Sequence, residues 1–147
     1  MCALVNDANE VLLIKRNSSW KGWAFPGGHL EASESLEACV KREIYEETNL
    51  KLKSVIFKGV VHFFNTISLD RYFVYSYYSD DFFGEYKENC SEGLLKWFPV
   101  DALERIDLAE GLESRLDVFW GQDARELYIE WNENDGYTKI EKNLMKG

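Results

Sequence analysis

The first sixteen residues alternate short apolar runs with a polar cluster. "CALV", "NDANE" and "VLLIKR" read as two strands joined by a polar turn. "SVIFKGVVHFF" and "RYFVYSYYS" are rich in β-branched and aromatic residues and predict two longer strands; "LLKWF" predicts a shorter one. The end of the chain, "ARELYIEW", "NENDG" and "YTKIEK", predicts a hairpin closing at Asp135-Gly136. Between these stretches a helix is predicted from Ser35 to Thr48, with Ser33 or Ser35 offering its hydroxyl as the N-cap. "PVDALERI", where Pro99 suits a first helical position, and "GLESRLDVFWG" predict two more helical segments. "NSSWKGWAFPGGHLEAS" is a glycine-rich loop containing Pro26. Strands before and after a helix, with another helix late, predict an α/β (α+β) fold: a mixed sheet sandwiched between helices.

A length of 147 residues, 46% of them hydrophobic and 29% charged, suits one globular domain over 1–147. No repeat or low-complexity linker divides it. The net charge of -9 repels a nucleic-acid backbone, which argues against a polymer-binding role. The same field repels a small polyanion unless cations intervene. Cys2, Cys39 and Cys90 are scattered and form no CxxC pair, so reduced thiols in a cytoplasm are expected. No leader pattern and no apolar run of about 20 residues is present, so no membrane span is expected.

The chemistry concentrates in "KREIYEETNL", which carries Glu43, Glu46 and Glu47 at the end of the predicted helix. Helix carbonyls already make that end negative, and carboxylates three or four residues apart repel. At about 100° per residue, Leu36 and Val40 lie about 20° and 60° from Glu43, and Glu47 about 40°. The acids therefore share a face with apolar residues, while Lys41 and Tyr45 take outward positions. Inward carboxylates must be protonated, paired or metal-bound. Arg42 can pair with one of them but not with all three. Oxygen ligands alone suit Mg²⁺, for which Mn²⁺ can substitute. His29 and His62 stand alone and make no zinc pattern. The sequence has no EF-hand loop, GxSxG elbow or HExxH, and Gly28 and His29 stand where a Walker A loop needs Lys and Ser/Thr.

From Gly28, five residues lead to Glu34, seven more to Arg42, then Glu43, Ile44, Tyr45, Glu46, Glu47, Thr48, Asn49 and Leu50. This resembles the Nudix box, G-x5-E-x7-R-E-U-x-E-E-x-G-U, over residues 28–50, with "WAFPGG" as the lead-in. One position departs: Asn49 stands for the pattern's glycine, and Asn is the next most tolerant residue of a left-handed turn.

The resemblance implies the Nudix fold and Mg²⁺-dependent cleavage of a nucleoside diphosphate linked to another group. Carried over by position, Glu43 and Glu47 are principal metal ligands, Glu46 a further ligand or a base acting through water, and the Gly28 carbonyl another ligand. Glu34 and Arg42 organise the loop and helix. A weaker resemblance, to MutT-type 8-oxo-dGTP diphosphatases, rests on "SEGLLKWFPVDAL". It implies that Glu92 serves the metals or the attacking water. Trp23, Phe25 and Trp97 are the candidate base-binding aromatics, with Trp20, Phe82 and Phe83 as further ones. The expected reaction converts a nucleoside triphosphate to monophosphate and pyrophosphate. Oxidised purine nucleotides are candidate substrates, and the enzyme acts as a monomer or homodimer. ADP-ribose enzymes of the family often carry extra N-terminal elements, and this chain begins almost on its first strand, which favours triphosphates over ADP-ribose. The rival from another class is a non-catalytic nucleotide sensor. Such modules commonly lose box glutamates that this chain keeps.

Overall fold

The computed structural model describes residues 1–17, 21–123 and 125–145. The elements in order are β1 (Cys2–Leu4), β2 (Glu10–Arg16), β3 (Trp23–Ala24), α1 (Leu36–Thr48), β4 (Lys51–Leu52), β5 (Ile56–Asn65), β6 (Arg71–Ser79), β7 (Phe82–Phe83), β8 (Asn89–Cys90), β9 (Gly93–Pro99), α2 (Leu116–Trp120), β10 (Arg125–Asn132) and β11 (Gly136–Leu144). They fall into two compact units, residues 1–56 with 77–114, and residues 57–76 with those from 115 onward.

In the first unit β3, β2, β9 and β8 form an antiparallel sheet in that order. The end of β6 pairs in parallel with β1, Cys2 opposite Tyr77. The period of two along β2 sends Leu12 and Ile14 to one face. There they join Leu4, Val40, Ile44, Leu50, Leu52 and Leu95 in the core that carries α1. Gly93 is required by the close approach of two strands, since a Cβ there would collide with the Lys15 carbonyl.

Helix α1 begins where the sequence places it. The Ser35 hydroxyl accepts from the Ala38 amide at 3.1 Å. It ends at Asn49, left-handed at φ 67°. The apolar stripe is narrower than its spacing predicts. Val40 and Ile44 are buried, but Leu36 is 37% exposed at the first turn.

In the second unit β5 lies parallel to β10, Val61 opposite Leu127, and β10 turns back antiparallel into β11. The side-chain oxygen of Asn132 accepts from the Asn134 and Asp135 amides, and Gly136 at φ 70° completes the turn. The predicted hairpin is therefore found, with a bulge at Glu130/Trp131.

Two helical expectations are corrected. Residues Val100–Arg105 form a 3₁₀ segment, and Pro99 lies outside it with ψ 132°, ending β9 instead of starting a helix. In the "GLESRLDVFWG" stretch only Leu116–Trp120 is α-helical, after a 3₁₀ turn at Glu113–Arg115. Both segments are too short to gain much from cooperative helix growth, so tertiary packing decides their form.

Candidate active site

The glycine loop before α1 and the polar face of α1 are held together by one guanidinium. Arg42 grips Glu34 with two parallel bonds, Nε to Oε1 at 2.7 Å and Nη2 to Oε2 at 3.0 Å. Its Nη2 also donates to the His29 carbonyl at 3.0 Å. Its Nη1 reaches Glu43 at 2.8 Å and Glu46 at 3.2 Å. The sequence reading allowed it one carboxylate of the three; it takes two. Glu46 is within reach because i and i+4 share a helix face. The Arg42 guanidinium, joined by the Glu31 amide, holds the Glu34 carboxyl down at about 2.

The three box glutamates have different surroundings. Glu47 is buried, at 4% exposure. The Gly27 amide donates to its Oε2 at 2.8 Å, while Oε1 has no hydrogen-bond partner and lies 3.9 Å from Arg16 Nη2. Burial, and then the neighbouring Glu92 carboxyl, push its carboxyl up to about 8; the Gly27 amide and Arg16 oppose the rise. Glu43 is 14% exposed and lies against Gly28, where a Cβ would collide with its carboxylate. Glu46 is 57% exposed and turned toward Arg42 and solvent. The expectation that all three acids point inward is therefore corrected for Glu46, because the period of 3.6 carries it past the edge of the buried stripe.

A cleft of about 380 Å³ opens over this arrangement, lined by Arg16, Gly27, Gly28, His29, Glu31, Glu43 and Glu92 among others. Glu92 enters it from the segment before β9, its carboxylate 3.6 Å from Arg16. Arg16 escaped sequence reading, yet it ties the site together. Its Nη2 donates to the Gly27 carbonyl at 2.9 Å, and it pairs with both Glu47 and Glu92. The signal was present: Arg16 continues the Leu12, Ile14 face of β2, and a charge on a core face needs an anion. Lys87 was missed too; its Nζ donates to the Glu46 carbonyl at 2.6 Å and supplies positive charge where the helix end is negative.

The aromatic candidates lie elsewhere. Phe25 is fully buried and fills the core. Trp97 stacks on Phe82 at 6.1 Å and meets Tyr86 edge-on at 5.9 Å, against the first unit's core. Trp23 is half-buried beside Phe98, 4.8 Å between ring centres. None of these is among the residues lining the cleft. Phe83 is 51% exposed, and Trp20 lies outside the described residues. His62 belongs to the second unit, where its Nε2 sits 2.7 Å from Arg71.

Among the described residues no three His, Cys, Asp or Glu side chains converge well enough to hold a metal ion as they stand. Arg42 occupies two of the box carboxylates. The donor set nevertheless fits a hard divalent cation. Every donor is oxygen, one buried carboxylate oxygen lacks a hydrogen-bond partner, and glycine at 28 leaves room beside Glu43. Cys2, Cys39 and Cys90 are free thiols, and no described helix is long and apolar enough to cross a membrane.

The chain resembles known proteins over most of its length. It is 29% identical to the uncharacterised Nudix hydrolase YvcI of Bacillus subtilis over 119 residues, 79% of this chain and 74% of that protein. It is 47% identical to an ADP-ribose pyrophosphatase of Methanocaldococcus jannaschii over 57 residues, 36% of this chain and 34% of the relative. The crystal structure of a MutT protein from Bacillus halodurans superposes with a TM-score of 0.84, covering 96% of this chain and 94% of the other at 23% identity, which shows the shared α+β fold. The NUDIX domain family model matches residues 1–119, and with that match the chain belongs to the Nudix hydrolases, enzymes that break pyrophosphate bonds.

Proposed function

We propose that this protein hydrolyses nucleoside triphosphates to monophosphate and pyrophosphate with Mg²⁺, with oxidised purine nucleotides such as 8-oxo-dGTP within its range. Glu43, Glu46, Glu47 and the Gly28 carbonyl hold the cation, and Mn²⁺ can replace Mg²⁺. The observation that carries this reading is the buried Glu47 carboxylate, whose Oε1 has no hydrogen-bond partner. A carboxyl so buried must be protonated, as its raised pKa has it in the metal-free protein, or ionised against a cation, and the second state is the one the reaction uses. When bound, the cation neutralises phosphate oxygens and makes water a better nucleophile. The chain's own groups do the rest. Arg42 fixes Glu43 and the loop, and Glu43 and Glu92 line the cleft where a proton can be taken from water. Trp23, half-buried beside Phe98, is the proposed base-contacting aromatic. Residues 1–147 act as one hydrolase domain, in the cytoplasm, as a monomer or homodimer, on free nucleotides.

A second reading, hydrolysis of ADP-ribose, is favoured by the 47% identity over 57 residues to a protein named for that activity. A panel of dGTP, 8-oxo-dGTP, ATP and ADP-ribose with Mg²⁺ separates the two. Monophosphate plus pyrophosphate from the triphosphates is the expected result. AMP plus ribose phosphate, with the triphosphates untouched, selects the second reading. Equal kcat/KM for dGTP and 8-oxo-dGTP removes the preference for oxidised bases.

A further inference from the structure

The helix that carries the glutamates and the segment that carries Glu92 meet at one corner. Asn49 closes α1 in the left-handed conformation, φ 67°, where the Nudix pattern has glycine. Glycine makes that turn with less strain, so the turn itself gives no reason for asparagine. What asparagine adds is an amide. Its Nδ2 donates to the Glu85 carbonyl at 2.9 Å. Beside it, the Lys87 amide donates to the Thr48 carbonyl at 3.1 Å, and Lys87 Nζ to the Glu46 carbonyl at 2.6 Å. Five residues on, the Glu92 carbonyl accepts from the Asn17 amide at 2.8 Å, and the Glu92 carboxylate lies in the cleft beside Arg16. The segment from Glu85 to Glu92 is thus pinned at both ends, with β8 paired to β9 between them, and of the three bonds at its near end the outermost comes from the one residue that departs from the pattern.

We propose that Asn49 is a positioning residue for Glu92: its side chain ties the 85–92 segment to the end of α1 and so sets where the Glu92 carboxylate stands in the cleft. Lys87 shares the task from the other side of the joint. This rests on the proposed hydrolase reading and adds to it a residue that touches neither substrate nor metal ligand. The departure at position 49 exchanges backbone ease for a tether.

Asn49→Gly is the direct test, because it restores the pattern, keeps the left-handed turn and removes the side chain that carries the amide. One exposed hydrogen bond corresponds to a change of about two- to tenfold. With Mg²⁺ and either dGTP or ADP-ribose, whichever the wild type turns over, kcat should fall by that factor, with KM within about twofold. In a Glu92→Gln background the same substitution should cost nothing further, because what it positions is already disabled. Hydrogen exchange of the metal-free protein supplies a readout independent of activity. Peptides spanning 85–95 should exchange faster in Asn49→Gly while the 36–48 helix is unchanged. Wild-type kcat in Asn49→Gly, an equal fold-loss in the Glu92→Gln background, or unchanged exchange in 85–95 overturns the proposal. A wild type inactive on both nucleotides, or unaffected by Glu47→Gln, overturns the hydrolase reading instead.

Discussion

The Gly27 amide donates to Glu47 Oε2 at 2.8 Å and leaves Oε1 of the same buried carboxylate without a hydrogen bond, 3.9 Å from Arg16 Nη2. This half-satisfied acid gives the metal-free protein a pH dependence of definite sign. The carboxyl is raised from 4.5 to about 8 by burial first and by Glu92 second. Between those pH values the native state keeps a proton that the unfolded chain has released, so stability falls as pH rises through the window. A cation needs the ionised form, so its affinity climbs over the same range, and binding near pH 7 releases about one proton. Metal-free melts at pH 5 and pH 8, compared with Glu47→Gln, should show a fall that the variant lacks. Calorimetry with Mg²⁺ in buffers of different ionisation heat should count the proton. Parallel melting curves for the two proteins would sink the assignment.

Gly28 and Glu43 give a second test. A Cβ at 28 would collide with the Glu43 carboxylate, the far end of a flexible side chain held there by Arg42. Gly28→Ala should therefore fold almost as stably as wild type while pushing the carboxylate out of place. Misplacement of a reacting group by about an ångström costs up to about 10²-fold. Glu43→Gln and Glu47→Gln, which keep shape but lose charge, should reduce turnover by about 10²- to 10⁴-fold. Steady-state kinetics with circular dichroism on the same samples checks both. Activity within threefold of wild type in Gly28→Ala would show that this close packing is idle.

What the sequence disclosed follows from the range of the forces involved. The strand runs around Val60 and Tyr75, and the helix between Ser35 and Asn49, were legible because alternation, capping and left-handed closure are local. The box pattern was legible because its spacing writes a helix face directly into the chain. The outward turn of Glu46 was not, since counting residues shows which side a group is on but not where neighbouring strands stop covering it. Arg16 and Lys87 were missed because their partners lie far along the chain, at Gly27, Glu47 and Glu92 for one and Glu46 for the other. The 3₁₀ form of Val100–Arg105 was likewise set by packing, against the local suggestion of Pro99.

Arg42 invites the substitution that keeps its charge. Lysine cannot make the planar pair of hydrogen bonds to Glu34 while also reaching Glu43, Glu46 and the His29 carbonyl. Arg42→Lys should lower kcat by about 10²-fold by loosening the loop that carries Gly28. It should also change the response to acid. Glu34 is held at about 2, below its ordinary 4.5, so its pairing stabilises the fold above 4.5 and is lost as pH falls through about 2. Without the fork that contribution shrinks, and the acid-unfolding midpoint of Arg42→Lys should move to higher pH. An unchanged midpoint would mean that the Glu34 pair holds nothing in place.

Trp97 is a core aromatic, and Trp23 is the proposed ligand platform. Trp97 stacks on Phe82 with an interplanar angle of 16° and meets Tyr86 at 78°, and all three pack on the cluster that includes Leu12, Ile14 and Ile44. Cutting it to alanine removes those ring contacts and leaves a void, a loss of about 3 kcal/mol for an indole in such a setting. Trp23 touches Phe98 and lies under Lys15 Nζ at 5.9 Å, with less of the core resting on it. Trp97→Ala should therefore lower the urea midpoint markedly and leave KM for the nucleotide nearly unchanged at temperatures where it stays folded. Trp23→Ala should do the reverse, raising KM with a small effect on the midpoint. If Trp97→Ala raises KM in a fully folded sample while Trp23→Ala does not, the base stacks on the ring that packing assigns to the core.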